Sequence, residues 1–119
     1  MIDYWHNPRC SKSRAGLALL QEHGAEVTVR RYLEDAPSAE ELAAARAALG
    51  NPPAIEMMRP GEALFRELGL ARSDSNARLI AAMVEHPRLI ERPLAISGAR
   101  AVIGRPPERL LGLLEPQGE

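Results

Sequence analysis

The residue with the clearest chemical potential is Cys10, the only cysteine among the 119 residues. It lies between a predicted strand and a predicted helix, where the unpaired N–H groups and the dipole of the helix N-terminus favour a thiolate. The dipole alone contributes only ~0.3–1 kcal/mol. We therefore expect the cations that are adjacent in sequence, Arg9, Lys12 and Arg14, to contribute most of the stabilisation. The pattern predicts a nucleophilic cysteine.

The same helix start can bind an oxyanion, with the hydroxyl groups of Ser11 and Ser13 as additional donors. A thiolate beside an anion-binding loop is suited to attack on a phosphate-like or arsenate-like centre. The alternative is that Cys10 is a small buried core residue, although core cysteines rarely have three cations within four residues. His6 has two interpretations as well, since it could tune Cys10 or simply end the strand and bond to the backbone.

Three arginines share a feature of sequence, because Arg59, Arg92 and Arg105 each directly precede a proline. Proline disfavours helical geometry at the preceding residue, so each arginine is predicted to lie in a loop or at the edge of an element. Loop arginines can converge on one anion, and a planar guanidinium suits a tetrahedral oxyanion. The alternative is three separate arginines that are solvated or paired with carboxylates.

Composition limits the classes of function. A length of 119 residues suits one domain, and a formal net charge of −1 gives no general attraction to nucleic acid or anionic membranes. Aromatic residues are too scarce for base-stacking platforms, and one cysteine cannot form an intrachain disulfide. The N-terminal residues do not resemble a signal peptide, and no apolar run is long enough for a membrane helix. We expect a cytoplasmic protein that binds neither nucleic acid nor membranes.

The elements that must position these residues follow from periodicity, caps and breakers. A strand, a helix and a strand in the first thirty residues predict a right-handed βαβ unit. Ser38 and Glu41 match a capping box, and Gly50 ends the helix that follows. The predicted elements are strands at 2–6, 26–32, 94–97 and 101–103, helices at 11–22, 38–50, 75–86 and 106–114, and one or two short helices within 54–69.

Motifs spread over nearly the whole chain resemble the glutaredoxin-coupled arsenate reductase family. They are His6-Asn7-Pro8-x-Cys10, Tyr32-Leu33-Glu34, Met58-Arg59, His86-Pro87, Glu91-Arg92-Pro93 and Gly104-Arg105-Pro106. The resemblance implies an α/β, thioredoxin-like fold (β-α-β, then β-β-α) as a single domain over residues 1–119, with residues 38–90 as a helical insertion. Two departures stand out: Pro60-Gly61 follows Arg59 where relatives tend to have a polar run, and the C-terminal part is short.

The resemblance also implies roles for individual residues. Cys10 is the implied nucleophile, His6 and Ser13 help to lower its pKa, and Pro93 matches the cis-proline beside the active cysteine. Arg59, Arg92 and Arg105 are implied to hold arsenate and the arsenite adduct. The implied reaction is reduction of arsenate to arsenite, with glutathione as co-substrate, a glutaredoxin as reductant, and no bound cofactor or metal. Since the chain has no second cysteine, the resolving thiols come from outside.

Other functions remain open on the sequence alone. The same superfamily contains Spx-type redox regulators that bind RNA polymerase. Those regulators typically use Cys-x-x-Cys, whereas the third residue after Cys10 here is Ser13, so that disulfide cannot form. A single-cysteine regulator could still respond through sulfenic acid or glutathionylation. The chain could also act on another oxyanion or thiol, or bind small anions without turnover.

Overall fold

The computed structural model describes residues 1–114, which form four strands, four α-helices and three 3-10 helices. The strands are β1 (Ile2–Trp5), β2 (Val27–Arg30), β3 (Leu94–Ser97) and β4 (Arg100–Ile103). The α-helices are α1 (Ser11–Glu22), α2 (Ala39–Ala48), α3 (Ala63–Glu67) and α4 (Asn76–Glu85), and the 3-10 helices are Ala54–Met57, Pro87–Leu89 and Pro107–Leu114.

The strands form one mixed sheet in the order β2-β1-β3-β4. Strand β1 is parallel to β2, and α1 connects the two, while β3 is antiparallel to both β1 and β4. This is the predicted α/β, thioredoxin-like arrangement. The helices between β2 and β3 follow from the sequence signals, because the predicted capping box of Ser38 and Glu41 is present and Gly50 adopts a φ of +98°.

Most element bounds lie within one or two residues of their predictions, and the 3-10 helix Pro87–Leu89 was not predicted, but two differences have a clear physical reason. Strand β2 ends at Arg30 rather than residue 32, because the chain turns there and the N–H groups of Glu34 and Asp35 both donate to Arg31 O. The last helix begins at Pro107 and is a 3-10 helix throughout its described length. In a 3-10 helix residues i and i+3 lie on one face, which is where the buried Leu110 and Leu113 are found.

The hydrophobic core forms two clusters. Neighbouring residues of β1 belong to different clusters. Tyr4 belongs to the cluster that contains Leu20 of α1 and Leu110 of the last 3-10 helix, whereas Trp5 belongs to the larger one. The larger cluster contains residues of the helices between β2 and β3, together with Leu94 of β3. Successive strand residues point to opposite faces, so the sheet is covered on both sides. Within residues 1–114, every helix is too short or too polar to cross a bilayer.

An isolated antiparallel bridge between Met58 and Ile90 joins two loops that are distant in sequence. On either side of it the N–H of Arg59 donates to Leu89 O at 2.8 Å and the N–H of Glu91 donates to Met57 O at 2.8 Å. The bridge therefore places the loop of Arg59 beside the loop that leads into β3.

Candidate functional site

Cys10 is the N-cap residue of α1, reached from β1 through a tight turn. Pro8 occupies the second position of that turn, the N–H of Cys10 donates to Asn7 O at 3.0 Å, and the first helical hydrogen bond runs from Arg14 N to Cys10 O. Its extended backbone (φ −96°, ψ 122°) is typical of an N-cap. The side chain is 8% exposed, yet neither hydrophobic cluster of the described residues includes it. Cys10 is therefore buried, as the alternative interpretation requires, but it lies at the start of a helix and outside both apolar clusters.

The surroundings of the sulfur favour the thiolate. Burial raises the pKa of the Cys10 thiol, but hydrogen bonds from the Ser13 N–H, the Arg92 guanidinium and the Lys12 N–H lower it, and the net direction is downward. Two backbone N–H groups of the first helical turn thus act together with one cation. The site is an anion-stabilising helix start with an added guanidinium.

The expected origin of the cation was wrong. The side chains of Arg9, Lys12 and Arg14 are exposed, and Arg14 Nη1 donates to Pro8 O at 2.9 Å rather than to the sulfur. Among the described residues, the guanidinium that lowers the pKa of the Cys10 thiol belongs to Arg92, from the loop before β3. Exposed charges near a site are screened by water, so adjacency in sequence gives them little effect on the thiol.

Ser13 and His6 are both buried and bond to each other. Ser13 Oγ accepts the Asn7 N–H at 3.0 Å and lies 2.7 Å from His6 Nδ1, while the Tyr4 hydroxyl donates to Ser13 O at 2.6 Å. Burial, with Arg31 and Arg14 adding to it, lowers the pKa of His6, so the imidazole is neutral at pH 7. The side chain of Ser13 therefore fixes the turn, and its backbone N–H is the group that faces the sulfur.

Arg59 and Arg92 line one open cavity of about 400 Å³ next to the cysteine turn. Asn7 and Arg9, which lie in the turn before Cys10, contribute to the same cavity. Tyr32 also lines it, and burial raises the pKa of its phenol to about 12 even though Arg92 and Arg59 lower it. Two of the three predicted arginines are therefore brought together in a cavity that borders the turn before Cys10.

Arg105 contacts the loop that contains Arg92 but does not line the same cavity. Its Nε donates to Arg92 O at 2.8 Å and lies 3.0 Å from Glu91 Oε1, and its side chain lines a neighbouring cavity with Arg109. Glu91 connects it to the first cavity, because the same oxygen lies 3.9 Å from Arg59 Nε. The structure thus places Arg105 where it supports the carbonyl of Arg92.

The sequence interpretation missed two charged residues of the cavity, Glu62 and Arg88. Glu62 Oε2 lies 2.7 Å from Arg59 Nη1, and Glu62 Oε1 lies 3.0 Å from Arg88 Nη2. A turn closed by the Glu62 N–H and Arg59 O at 3.0 Å brings the carboxylate back, with Pro60 at the position that proline favours. The Pro-Gly pair after Arg59, noted as a departure, was the signal that could have predicted this ion pair.

Pro93 and Ser11 are the remaining predicted site residues. The Arg92–Pro93 peptide bond is cis, and so is the bond before Pro106. Ser11 is exposed at the first position of α1 and is outside the set of described residues that line the cavity. Within residues 1–114, no group of three or more His, Cys, Asp and Glu side chains is arranged to hold a metal ion. Chemically, the site combines one stabilised thiolate with a cavity rich in guanidinium groups.

Comparisons with known proteins agree with this geometry. Residues 5–113 match the ArsC family. The chain is 46% identical to uncharacterized protein YfgD of Escherichia coli K12, covering 95% of this chain and 96% of that protein, and 42% identical to an arsenate reductase of Neisseria meningitidis serogroup A, covering 95% and 97%. A solved arsenate reductase from Vibrio cholerae superposes with a TM-score of 0.90 at 46% identity, covering 94% of this chain and 96% of that one. The chain belongs to the ArsC family.

Proposed function

We propose that the protein reduces arsenate to arsenite, with Cys10 as the nucleophile and with glutathione and a glutaredoxin supplying the electrons. The observation that carries the proposal is the position of Arg92, whose side chain lines the arginine-rich cavity together with Arg59 and the turn before Cys10 and lowers the pKa of the Cys10 thiol. The similarity to arsenate reductases of N. meningitidis and V. cholerae supports the choice of arsenate.

The first step joins sulfur to arsenic. The Cys10 thiolate attacks the arsenic of hydrogen arsenate, a proton is taken up, and one arsenic oxygen leaves as water, which gives a Cys10–S–As(V) ester. Arg92 is placed to act on both partners, because it stabilises the thiolate before attack and the arsenate oxygens during it. Arg59 neutralises a further oxygen, and Arg105 positions Arg92 by donating to its carbonyl.

The second half of the reaction uses external thiols, since the chain has one cysteine. Glutathione adds to the arsenic, and a second oxygen leaves as water. A glutaredoxin thiolate then attacks the glutathione sulfur and forms a mixed disulfide, and the electron pair of the broken S–As bond reduces arsenic from the +5 to the +3 state. Water hydrolyses the remaining Cys10–S–As(III) bond, which releases arsenite and restores the thiol. A reducing compartment such as the cytoplasm suits this cycle.

A coupled assay tests the proposal directly. NADPH oxidation is followed with arsenate, glutathione, glutaredoxin and glutathione reductase, for the wild type and for Cys10→Ser. We expect arsenate-dependent oxidation that disappears in the variant. Oxidation that is equal for both proteins, or that does not depend on arsenate, would contradict the proposed function.

A further inference from the structure

The cavity beside Cys10 is larger and more positive than one oxyanion requires. Its charged lining residues are four arginines and one carboxylate, namely Arg9, Arg59, Arg88, Arg92 and Glu62. Water takes up about 30 Å³ per molecule, so an anion of five heavy atoms fills about the space of three or four waters. A cavity of about 400 Å³ has room for a second, longer ligand.

The arginines of the cavity differ in how deeply they are buried. Arg92 is the deepest, because its Nε is fully buried and its guanidinium lowers the pKa of the buried Cys10 thiol. The side chain of Arg59 is 28% exposed, whereas that of Arg88 is 62% exposed. Arg88 is therefore at the rim, and it is positioned there by the 3-10 helix Pro87–Leu89 and by its bond to Glu62 at 3.0 Å.

On the basis of the proposed function, we propose that Arg88 binds a carboxylate of the reducing thiol, an anionic peptide such as glutathione. The thiol must reach the arsenic atom through the cavity that admits arsenate. Each residue of an extended peptide spans about 3.3–3.6 Å, so the terminal carboxylates lie roughly two residues' length away from the reacting sulfur. A carboxylate that far from the reacting sulfur has an arginine available in Arg88, the more exposed of the cavity arginines Arg59 and Arg88.

The bonding of Arg88 is compatible with this role. A guanidinium carries five N–H donors, and one side-chain hydrogen bond, to Glu62, is made by Arg88 among the described residues. A second carboxylate can bond to the other donors without displacing Glu62. Leu33, which is 41% exposed and also lines the cavity, offers apolar surface to the aliphatic part of the peptide.

The test measures binding without turnover. S-methylglutathione, which has no free thiol, is used as the probe, and its protection of Cys10 from alkylation by iodoacetamide is titrated. We expect Arg88→Ala to raise the half-protecting concentration about three- to tenfold, the size expected for a charged hydrogen bond at a half-exposed site. Arg88→Lys is expected to retain most of the affinity for S-methylglutathione. Arg72→Ala, which removes an exposed arginine outside the cavity, leaves protection unchanged.

Two further arms separate this inference from the proposed function. Protection by arsenate is expected to be the same in the wild type and in Arg88→Ala, and the diethyl ester of S-methylglutathione is expected to protect poorly. If arsenate protects Cys10 but the probe protects both proteins equally, or the ester protects as well as the acid, the role of Arg88 is refuted and the reductase proposal stands. If arsenate gives the wild type no protection, both fail.

Discussion

Replacing Arg92 with methionine removes the guanidinium that lowers the pKa of the Cys10 thiol while keeping a side chain of similar length. A hydrogen bond to a charged group contributes about 1.5–3 kcal/mol, and about 1.4 kcal/mol corresponds to a tenfold change in an equilibrium constant. Since Cys10 is only 8% exposed, water replaces little of the lost interaction. Arg92→Met is therefore expected to lower the ionisation constant of the thiol by about 10- to 100-fold, in the direction that the Arg92 contact predicts.

The assay is the rate of alkylation by iodoacetamide between pH 5 and pH 10, because the thiolate is the reactive form. Arg14→Met is the matched control: it removes an arginine that is four residues from Cys10 in sequence but is exposed and bonded to Pro8 O. An exposed charge is expected to change the constant by less than about fivefold. The reasoning is refuted if Arg92→Met has the profile of the wild type, or if Arg14→Met has the larger effect.

Three further substitutions test the supporting structure. Ser13→Ala removes a buried hydroxyl that has two hydrogen-bond partners, and it is expected to lower the free energy of unfolding in urea by about 1–3 kcal/mol. The pH profile of Cys10 alkylation is expected to stay the same, because the backbone N–H of Ser13 remains, and a changed profile would contradict that role of the N–H. Glu41 is bonded to Arg30, which lowers its pKa from 4.5 to about 2, so its stabilisation is present above pH 4.5 and lost as the pH falls towards 2. Glu41→Gln is therefore expected to reduce the dependence of the unfolding free energy on pH in that range. An unchanged slope would contradict the ion pair of Glu41 with Arg30. Gly104→Ala places a Cβ 2.8 Å from Leu110 Cγ and is expected to lower the free energy of unfolding by about 1–3 kcal/mol. An unchanged midpoint of urea unfolding would contradict this, because it would show that Leu110 moves aside without cost.

Local signals predicted most of the fold. Helix α1 has the predicted bounds, the capping box of Ser38 is present, and both strands of the final hairpin are found within one residue of their predictions. These features depend on caps, breakers and alternation, which operate over a few residues. The helix type of Pro107–Leu114 could not be read in this way, because the spacing of its leucines fits either kind of turn.

The site was harder to predict because its contacts are long-range. The cation that lowers the pKa of the thiol is Arg92, 82 residues after Cys10, and the Met58–Ile90 bridge and the sheet help to bring the loops together. Local charge density pointed instead to Arg9 and Arg14, whose burial and direction a sequence does not show. Sequence motifs identified Arg92 and Arg105 as candidate site residues. The structure was needed to show that the two arginines line different cavities.

The central claim is that the Ser13 N–H and the Arg92 guanidinium lower the pKa of the Cys10 thiol and so increase its thiolate fraction at neutral pH. The most direct measurement is the ultraviolet absorbance of the thiolate against pH in the wild type, with Cys10→Ser as the blank. The account predicts a midpoint clearly below the ~8.5 of free cysteine. A midpoint at or above that of free cysteine would contradict it.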